Sequence, residues 1–472
     1  MITMLGSKRR LCDGLTRRET LKAGALSVLG GAFNLPSLLW AEENRDANAR
    51  RPKAKSVILL YLLGGAPTQD MFDMKPNAPD RIRGEFRPIA SNVPGMEICE
   101  MMPRSAHWMH RTALVRSVNH RAGCHNPLAS YTGFEAPVSD NTSTKDTYPP
   151  SMGSVCEYLR RERDDMPAYV YLPNYAGAGN AGGTVRYPGP YAGFLGKRHD
   201  PLFSEFDTRN IRNVAGMKML AGEPFLSRNT RLADGITLDA LRTRESLLEQ
   251  FNRNQRRLDS DRSLDDLNRL QQRALSLLTS NKLPAAFDLS TVPGELRDRY
   301  DRTLFGSSAL IGRRLVEAGV RFVNVTWDFP GDNSWDTHDN NFGWLRGALP
   351  SLDATYSALL EDLENRGLLD ETLVVMMSDM GRTPQINAAA GRDHWTFCYT
   401  VAFAGAGIRG GTVFGASDNH AAYVRERPVS TSEICATIYE CLGIDPEMLI
   451  RDRGGRPMPV AHGGKPIREI LA

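Results

Sequence analysis

Five short polar stretches of this 472-residue chain carry donors of one chemical kind. Asp70 and Asp73 follow Gly64-Gly65. His120, Cys124 and His125 fall in one stretch, and Asp336 and His338 in Trp335-Asp336-Thr337-His338. Asp379, Arg382 and Thr383 fall in a fourth, and Asp393 and His394 stand before Trp395 in the last. Carboxylate oxygen and imidazole nitrogen are the ligands that zinc, manganese and related ions take. One or two such ions, drawn from zinc, manganese, magnesium and calcium, would suit the hydrolysis of an anionic ester. Arg382 would offer that anion a planar two-pronged donor. Each residue alone also has a plain structural use. Asp336 can cap a turn, Asp379 can cap a helix, and His394 can be a hydrogen-bonded core histidine.

Position is what favours a shared site. The runs 56–63 (SVILLYLL), 112–118 (TALVRSV), 320–327 (VRFVNVTW) and 372–378 (TLVVMMS) each end just ahead of one of these stretches. Short apolar runs of this kind read as parallel strands buried on both faces. Ligands of open α/β sheets bind outside the carboxyl ends of the strands. Helical spacing alternates with the strands at 151–163, 309–318, 349–365 and 430–442, so the expected fold is a parallel α/β sandwich. Ser430 or Thr431, with Glu433 following, is expected to cap the last of these helices. Residues 238–280 contain neither Gly nor Pro and read as a helical insertion, set at about 238–281. It serves either as a solvated cover for the sheet, as a lid, or as a partner surface. His107, His110, His199, His420 and His462 are assigned structural places.

The chain has 58 basic and 55 acidic residues, a formal net charge of +3. The excess sits at the start: Lys8, Arg9, Arg10, Arg17, Arg18 and Lys22 outnumber Asp13 and Glu19 before Ala41. The rest is close to neutral, so no nucleic-acid partner is expected. Arg17-Arg18 ahead of a mild apolar run that ends at Ala41 resembles a twin-arginine export signal over 1–41. The translocase would then be a transient partner, and the mature chain periplasmic or extracellular. A charged linker follows at 42–54, with one large domain at 55–472. No later stretch is long and apolar enough for a membrane span. The seven cysteines contain no C-x-x-C pair, and neither disulfide pairing nor oligomeric state has a signature.

The stretches GGAPTQDMFDMKP, ASYTGF, YPPSMGSV, GRRLVEAGVRFVNVTW, SWDTHDNN, SDMGRTP, GRDHW and GAGIRGGTVFGASD, in this order, are similar to the domain-of-unknown-function family numbered 1501, from about residue 56 to about 442. That family is classed with the alkaline phosphatase and sulfatase superfamily. The resemblance implies an alkaline phosphatase-like three-layer sandwich with a mostly parallel central sheet and a helical insertion. It also implies metal ligands. Where the superfamily has its first metal Asp, this chain has Leu63-Gly64-Gly65, so Asp70 is the nearest candidate, ahead of Asp73. Asp336 and His338 resemble the Asp and His of one metal loop, and His394 the last metal His. Asp379 resembles the Asp of an Asp-His pair whose His is here Met380, a poor ligand for such ions. His125 or His120 would have to substitute. Thr132-Gly133 resembles the pair after the superfamily's nucleophile, with Ser130 and Thr132 available. Cys124 is followed by His125-Asn126-Pro127-Leu128 and not by the formylglycine pattern C-x-P-x-R.

The metal set expected is therefore Asp70, Asp336, His338, Asp379 and His394, with His125 and Arg382 acting on the substrate. Asp336, His338 and His394 alone would make a three-ligand site with an open position. The expected function is hydrolysis of phosphate or sulfate esters, small-molecule or glycan, by an exported metal-dependent protein. The alternative is a non-catalytic envelope binding or scaffold protein on the same fold. Transfer or mutase chemistry on phosphorylated sugars ranks last, because no nucleophile follows an unambiguous motif.

Overall fold

The computed structural model describes residues 52–122, 125–135, 145–160, 166–174, 186–207, 209, 211–214, 217–227, 280–327 and 335–472. The expected export leader at 1–41, most of the expected linker, Cys124 and all but the last two residues of the expected 238–281 insertion lie outside them. The backbone amides of Lys53 and Ala54 both donate to the Cys441 carbonyl, at 2.9 and 2.8 Å, so the end of the expected linker is already part of the body.

Strands β1 (Ser56–Leu62), β2 (Thr112–Val118), β3 (Tyr169–Leu172), β4 (Leu202–Phe203), β5 (Phe322–Trp327) and β6 (Thr372–Ser378) are followed by a two-stranded ribbon, β7 (Gly381–Arg382) with β8 (His394–Trp395). Strands β9 (Tyr399–Gly405) and β10 (Thr412–Phe414) complete an eight-stranded sheet in the order β10-β2-β9-β6-β1-β5-β3-β4. Every neighbouring pair is parallel except those made by β9, which runs against both β6 and β2. The short connection from β8 into β9 leaves no room for the crossover that a parallel strand needs.

Alternation along β1 shows why the run is apolar throughout. Ile58, Leu60 and Leu62 enter one core with α3 (Leu304–Glu317) and α4 (Asn341–Asn365). Val57, Leu59 and Tyr61 enter the other with α1 (Leu128–Thr132), α2 (Met152–Tyr158) and α5 (Thr431–Cys441). The result is a three-layer α/β sandwich. Each aliphatic side chain buried this way contributes about 1.5–3 kcal/mol. Of the two candidate caps, Ser430 is the one that forms the capping box with Glu433, and Thr431 is the first residue of the helix.

One helix differs from expectation. α4 starts at Asn341 and runs through Pro350, whereas its pattern predicts a start near 349. Pro350 removes one backbone donor. Phe342, Trp344, Leu345 and Ala348 before it are nonetheless buried in the core, and that packing outweighs the missing bond. Among the described residues no helix is long and apolar enough to cross a membrane.

Candidate metal centre

Parallel register brings the polar stretches together. Leu62 of β1 lies beside Ser378 of β6 and Trp327 of β5, so the three strands end in one row. The chain leaves β1 through Gly64 and Gly65, at φ 110° and 89°. A Cβ on Gly64 would stand 2.8 Å from the Asp336 backbone nitrogen, and one on Gly65 3.0 Å from the Arg382 side chain. Only glycine allows this approach. The Leu63 carbonyl accepts the Trp335 amide at 3.1 Å, which fixes the Asp336 loop against the end of β1. The Arg392 amide donates to the Thr337 carbonyl at 2.9 Å and Asn387 Nδ2 to the His338 carbonyl at 2.9 Å, strapping the second loop to the first.

His125, Asp336, His338 and His394 each aim one donor atom at a common point, and the four atoms lie within 4.8 Å of one another. Asp336 Oδ1 is 3.1 Å from His338 Nε2 and 3.2 Å from His394 Nε2, and Oδ2 is 3.1 Å from His125 Nε2. The Nε2 atoms of His338 and His394 are 2.8 Å apart. His338 Nδ1 donates to Asp393 Oδ1 at 2.8 Å, which leaves the Nε2 lone pair facing the cluster. Two imidazole lone pairs so close need a proton or a cation between them. Ligands about 2.0–2.2 Å from a tetrahedral ion stand about 3.3–3.6 Å from one another. The donor set therefore fits a cation, which a widening of the 2.8–3.2 Å contacts by a few tenths of an ångström would admit.

The surroundings hold this quartet in place. Burial alone would raise the Asp336 pKa, but hydrogen bonds from His125 and His394 and the charge of Arg382 outweigh it and keep the carboxylate well below its usual range. Burial likewise would depress His125, but its contacts with Asp336 and Asp379 raise it to about 9. His125 has φ 49°, the left-handed region, and its ring stands edge-on to that of His394 at 4.2 Å between centroids.

The other expected site residues are placed differently. Asp70 is not among the donors. Arg392 Nη2 and Nε donate to its two oxygens at 2.7 and 2.8 Å, and Asn341 Nδ2 adds a third bond at 3.1 Å. Asp379 stands behind the quartet. Its Oδ1 accepts the Gly64 and Gly65 amides, both at 2.9 Å, and Ser378 Oγ at 3.0 Å. Its Oδ2 is buried, lacks a hydrogen-bond partner and lies 3.6 Å from His125 Nδ1. Arg382 is wholly buried and is not free to grip an anion. It donates to the carbonyls of Gly64, Gly65 and Arg392 and to Asp336 Oδ1, so it positions Asp336. His120 is buried with Nε2 2.8 Å from the Asp379 carbonyl. Ser130 Oγ is bonded to Tyr61 of β1 and to the Pro127 carbonyl, and Thr132 Oγ1 donates to the Leu128 carbonyl, so both hydroxyls are engaged by protein groups.

Sequence reasoning missed Arg392 and counted Asp393 only among the polar residues after the strands, not as the partner of His338. The signal for both was their place directly before His394, in the turn that enters β8: Arg392 ties that turn to Asp70, and Asp393 ties it to His338.

A three-layer α/β protein with an imidazole–carboxylate cluster at the carboxyl rim of its sheet is thus defined. The chain belongs to the family described as Protein of unknown function (DUF1501), whose model matches residues 54–471. No curated protein matches it. Among solved structures it is similar to a protein in the alkaline phosphatase superfamily from Vibrio parahaemolyticus, with TM-score 0.42 and 10% identity over 89% of this chain and 71% of that one. It is also similar to the PsFucS1 sulfatase from Pseudoalteromonas sp., with TM-score 0.36 and 12% identity over 85% and 70%. A third is the phosphonate monoester hydrolase of Agrobacterium radiobacter, with TM-score 0.35 and 13% identity over 88% and 78%. At such identities no residue role passes from them to this chain.

Proposed function

We propose that this chain is an exported, metal-dependent hydrolase of phosphate or sulfate esters. The observation that carries the reading is the quartet itself: three imidazole nitrogens and a carboxylate from three separate segments of the chain, brought together within 4.8 Å. His125, Asp336, His338 and His394 would hold the ion. Imidazole-rich sets suit zinc or manganese better than magnesium or calcium, which prefer oxygen. A divalent cation held there supplies Lewis acidity toward an ester oxygen.

The remaining residues orient these four. Asp393 fixes the tautomer of His338, and Arg382 fixes Asp336. The unpartnered Oδ2 of Asp379 faces His125 Nδ1 and can take or return a proton there. His338 is exposed while its partners are half-buried, so the cluster opens toward solvent on that side. Export through the twin-arginine translocase to the periplasm or beyond is part of the proposal. Five cysteines (Cys99, Cys156, Cys398, Cys435, Cys441) are buried and unpaired, which suits folding in a reducing compartment before transfer.

The test is elemental analysis of the purified chain by mass spectrometry, with turnover of aryl phosphate and aryl sulfate esters measured before and after chelation. The expected result is stoichiometric zinc or manganese and turnover that chelator abolishes and the ion restores. A chain without metal, and turnover indifferent to chelator, would overturn the reading.

The non-catalytic envelope reading has its own support in the engagement of Arg382, Ser130 and Thr132 by protein groups. It expects His394→Ala to leave the cellular role intact, whereas the hydrolase reading expects that role to fail in a folded variant.

A further inference from the structure

One ridge of aromatic side chains next to the metal centre is left unused by the hydrolase reading. Trp395, Phe397 and Tyr423 pack against one another, with ring centroids 4.9, 5.5 and 5.8 Å apart and interplanar angles between 51° and 67°. Phe397 is 49% and Tyr423 54% exposed, two of only six large hydrophobic side chains with such exposure among the described residues. Isolated exposed aromatics are ordinary, whereas a contiguous group is not.

The ridge is also rigid. Trp395 Nε1 donates to the Ala422 carbonyl at 2.5 Å. Asp418 ties the turn that carries Tyr423. Its Oδ1 accepts the amides of His420 and Ala422 at 3.0 and 2.9 Å, and its Oδ2 that of Tyr423 at 3.2 Å. Ala421 sits at φ 55° inside this turn. Such ordering is not needed to keep water off a surface that remains wet.

We propose that Trp395, Phe397 and Tyr423 form a platform for a sugar ring, so that the ester presented to the metal centre belongs to a saccharide. The substrate class rests on the hydrolase reading; sugar binding itself does not. Three features select this occupant. First, the patch is small. Rings of about 150–250 Å² each, half covered, expose a few hundred Å² at most, against the roughly 1,200 Å² or more that a stable protein interface buries. Second, the rings are tilted to one another and form a one-sided ridge. It offers electron-rich faces to the C–H bonds of a pyranose and no parallel slot for a flat base. The near-neutral charge of the chain after residue 41 also gives no electrostatic pull on a nucleic-acid strand. Third, the ridge adjoins the centre through the chain itself. His394 and Trp395 are successive residues of β8, one paired with Arg382 and the other with Gly381. Period-two alternation sends His394 to the metal side and Trp395 to the outer side. A saccharide lying on the ridge therefore has a neighbouring unit within reach of the rim. The exposed ring of His420 and the Tyr423 hydroxyl can meet its hydroxyl groups.

The experiment uses the full-length body after chelation, so that turnover cannot confuse binding. Neutral and sulfated oligosaccharides of glucose, galactose, mannose and fucose are titrated calorimetrically, with adenosine monophosphate and phenyl phosphate as comparisons. At least one saccharide is expected to bind. Phe397→Ala and Tyr423→Ala are each expected to weaken it about tenfold or more, the usual scale for one stacked ring, with melting temperature unchanged. His394→Ala is expected to leave this binding intact. If the hydrolase reading fails while saccharides still bind through the ridge, the platform stands alone as a lectin-like surface. No binding by any saccharide, binding indifferent to both ring deletions, or preference for the nucleotide or aryl compound overturns it. So does a dimer in sedimentation that Phe397→Ala dissolves.

Discussion

Two charged clusters at the same sheet rim invite comparison, because the sequence offers them in the same terms. Asp70 follows β1 and meets Arg392; Asp336 follows β5 and meets His125, His338 and His394. The first cluster is closed. All five N–H groups of Arg392 have acceptors: both oxygens of Asp70 and the carbonyls of Ile82, Thr383 and Pro384. The second is open. Its donor atoms face one another, and two imidazole nitrogens lie 2.8 Å apart with a proton for only one of the roles. A closed set of hydrogen bonds holds loops in place, and an open one awaits a further atom. Counting satisfied donors separates structure from function where residue type does not.

The comparison breaks first, and by the largest amount, at Arg392. Arg392→Met leaves Asp70 buried without its cation, and removing one partner of such a pair costs about 3–5 kcal/mol. Chemical denaturation should show that loss. The double variant Asp70→Leu with Arg392→Met should recover part of it, since the stranded charge is gone while three backbone carbonyls still lack their donor. If Arg392→Met is no less stable than the parent, the first cluster is not closed in the sense argued.

The second cluster should answer in the opposite way. His394→Ala removes one of four donors, and a loss of roughly a hundredfold in affinity for zinc follows if each ligand carries about a quarter of the binding energy. Stability without metal should hardly change. Competition with a chromophoric chelator reads the first quantity and thermal unfolding the second. A variant that unfolds but still takes up zinc would invert the assignment. Asp393→Asn is milder. It keeps the shape but weakens the acceptor that orients His338, and outer-sphere changes of this kind cost about 10–100-fold in metal affinity. Asp393 is largely exposed, so no loss of stability is expected from it.

These contrasts also show what the chain makes legible. β1, β2 and β6 could be read almost to the residue because they are buried on both faces, and burial writes itself as an unbroken apolar run. The reversed direction of β9 was not legible, since strand direction leaves no mark on composition. The beginning of α4 was hidden because Pro350 argues locally against a helix that packing enforces. At the rim, the convergence of Asp336, His338 and His394 was legible from their places after strands. Asp70 was misplaced because its partner lies 322 residues away, and nothing local distinguishes a carboxylate waiting for a metal from one already held by a guanidinium. Arg382 was misread for a related reason: a two-residue ribbon turns it inward to the carbonyls of Gly64 and Gly65.

The smallest effect, and the sharpest in sign, is that of pH. Without metal, Asp336 and Asp379 raise His125 to about 9, against an ordinary histidine near 6.5. A proton held more tightly in the folded state stabilises it. That contribution is fully present below about pH 6.5 and is lost as pH rises toward 9. The metal-free chain should therefore become easier to denature over that interval. A cation must displace the same proton to reach the His125 nitrogen, so affinity should rise with pH by up to about tenfold per unit, level off above about pH 9, and release a proton measurable in buffers of different ionisation enthalpy. The metal-loaded chain should then keep its stability level over the interval in which the metal-free chain loses it, because the rise in affinity offsets that loss. Parallel pH trends in the two forms would remove His125 from the ligand set and leave Asp336, His338 and His394 to hold the ion.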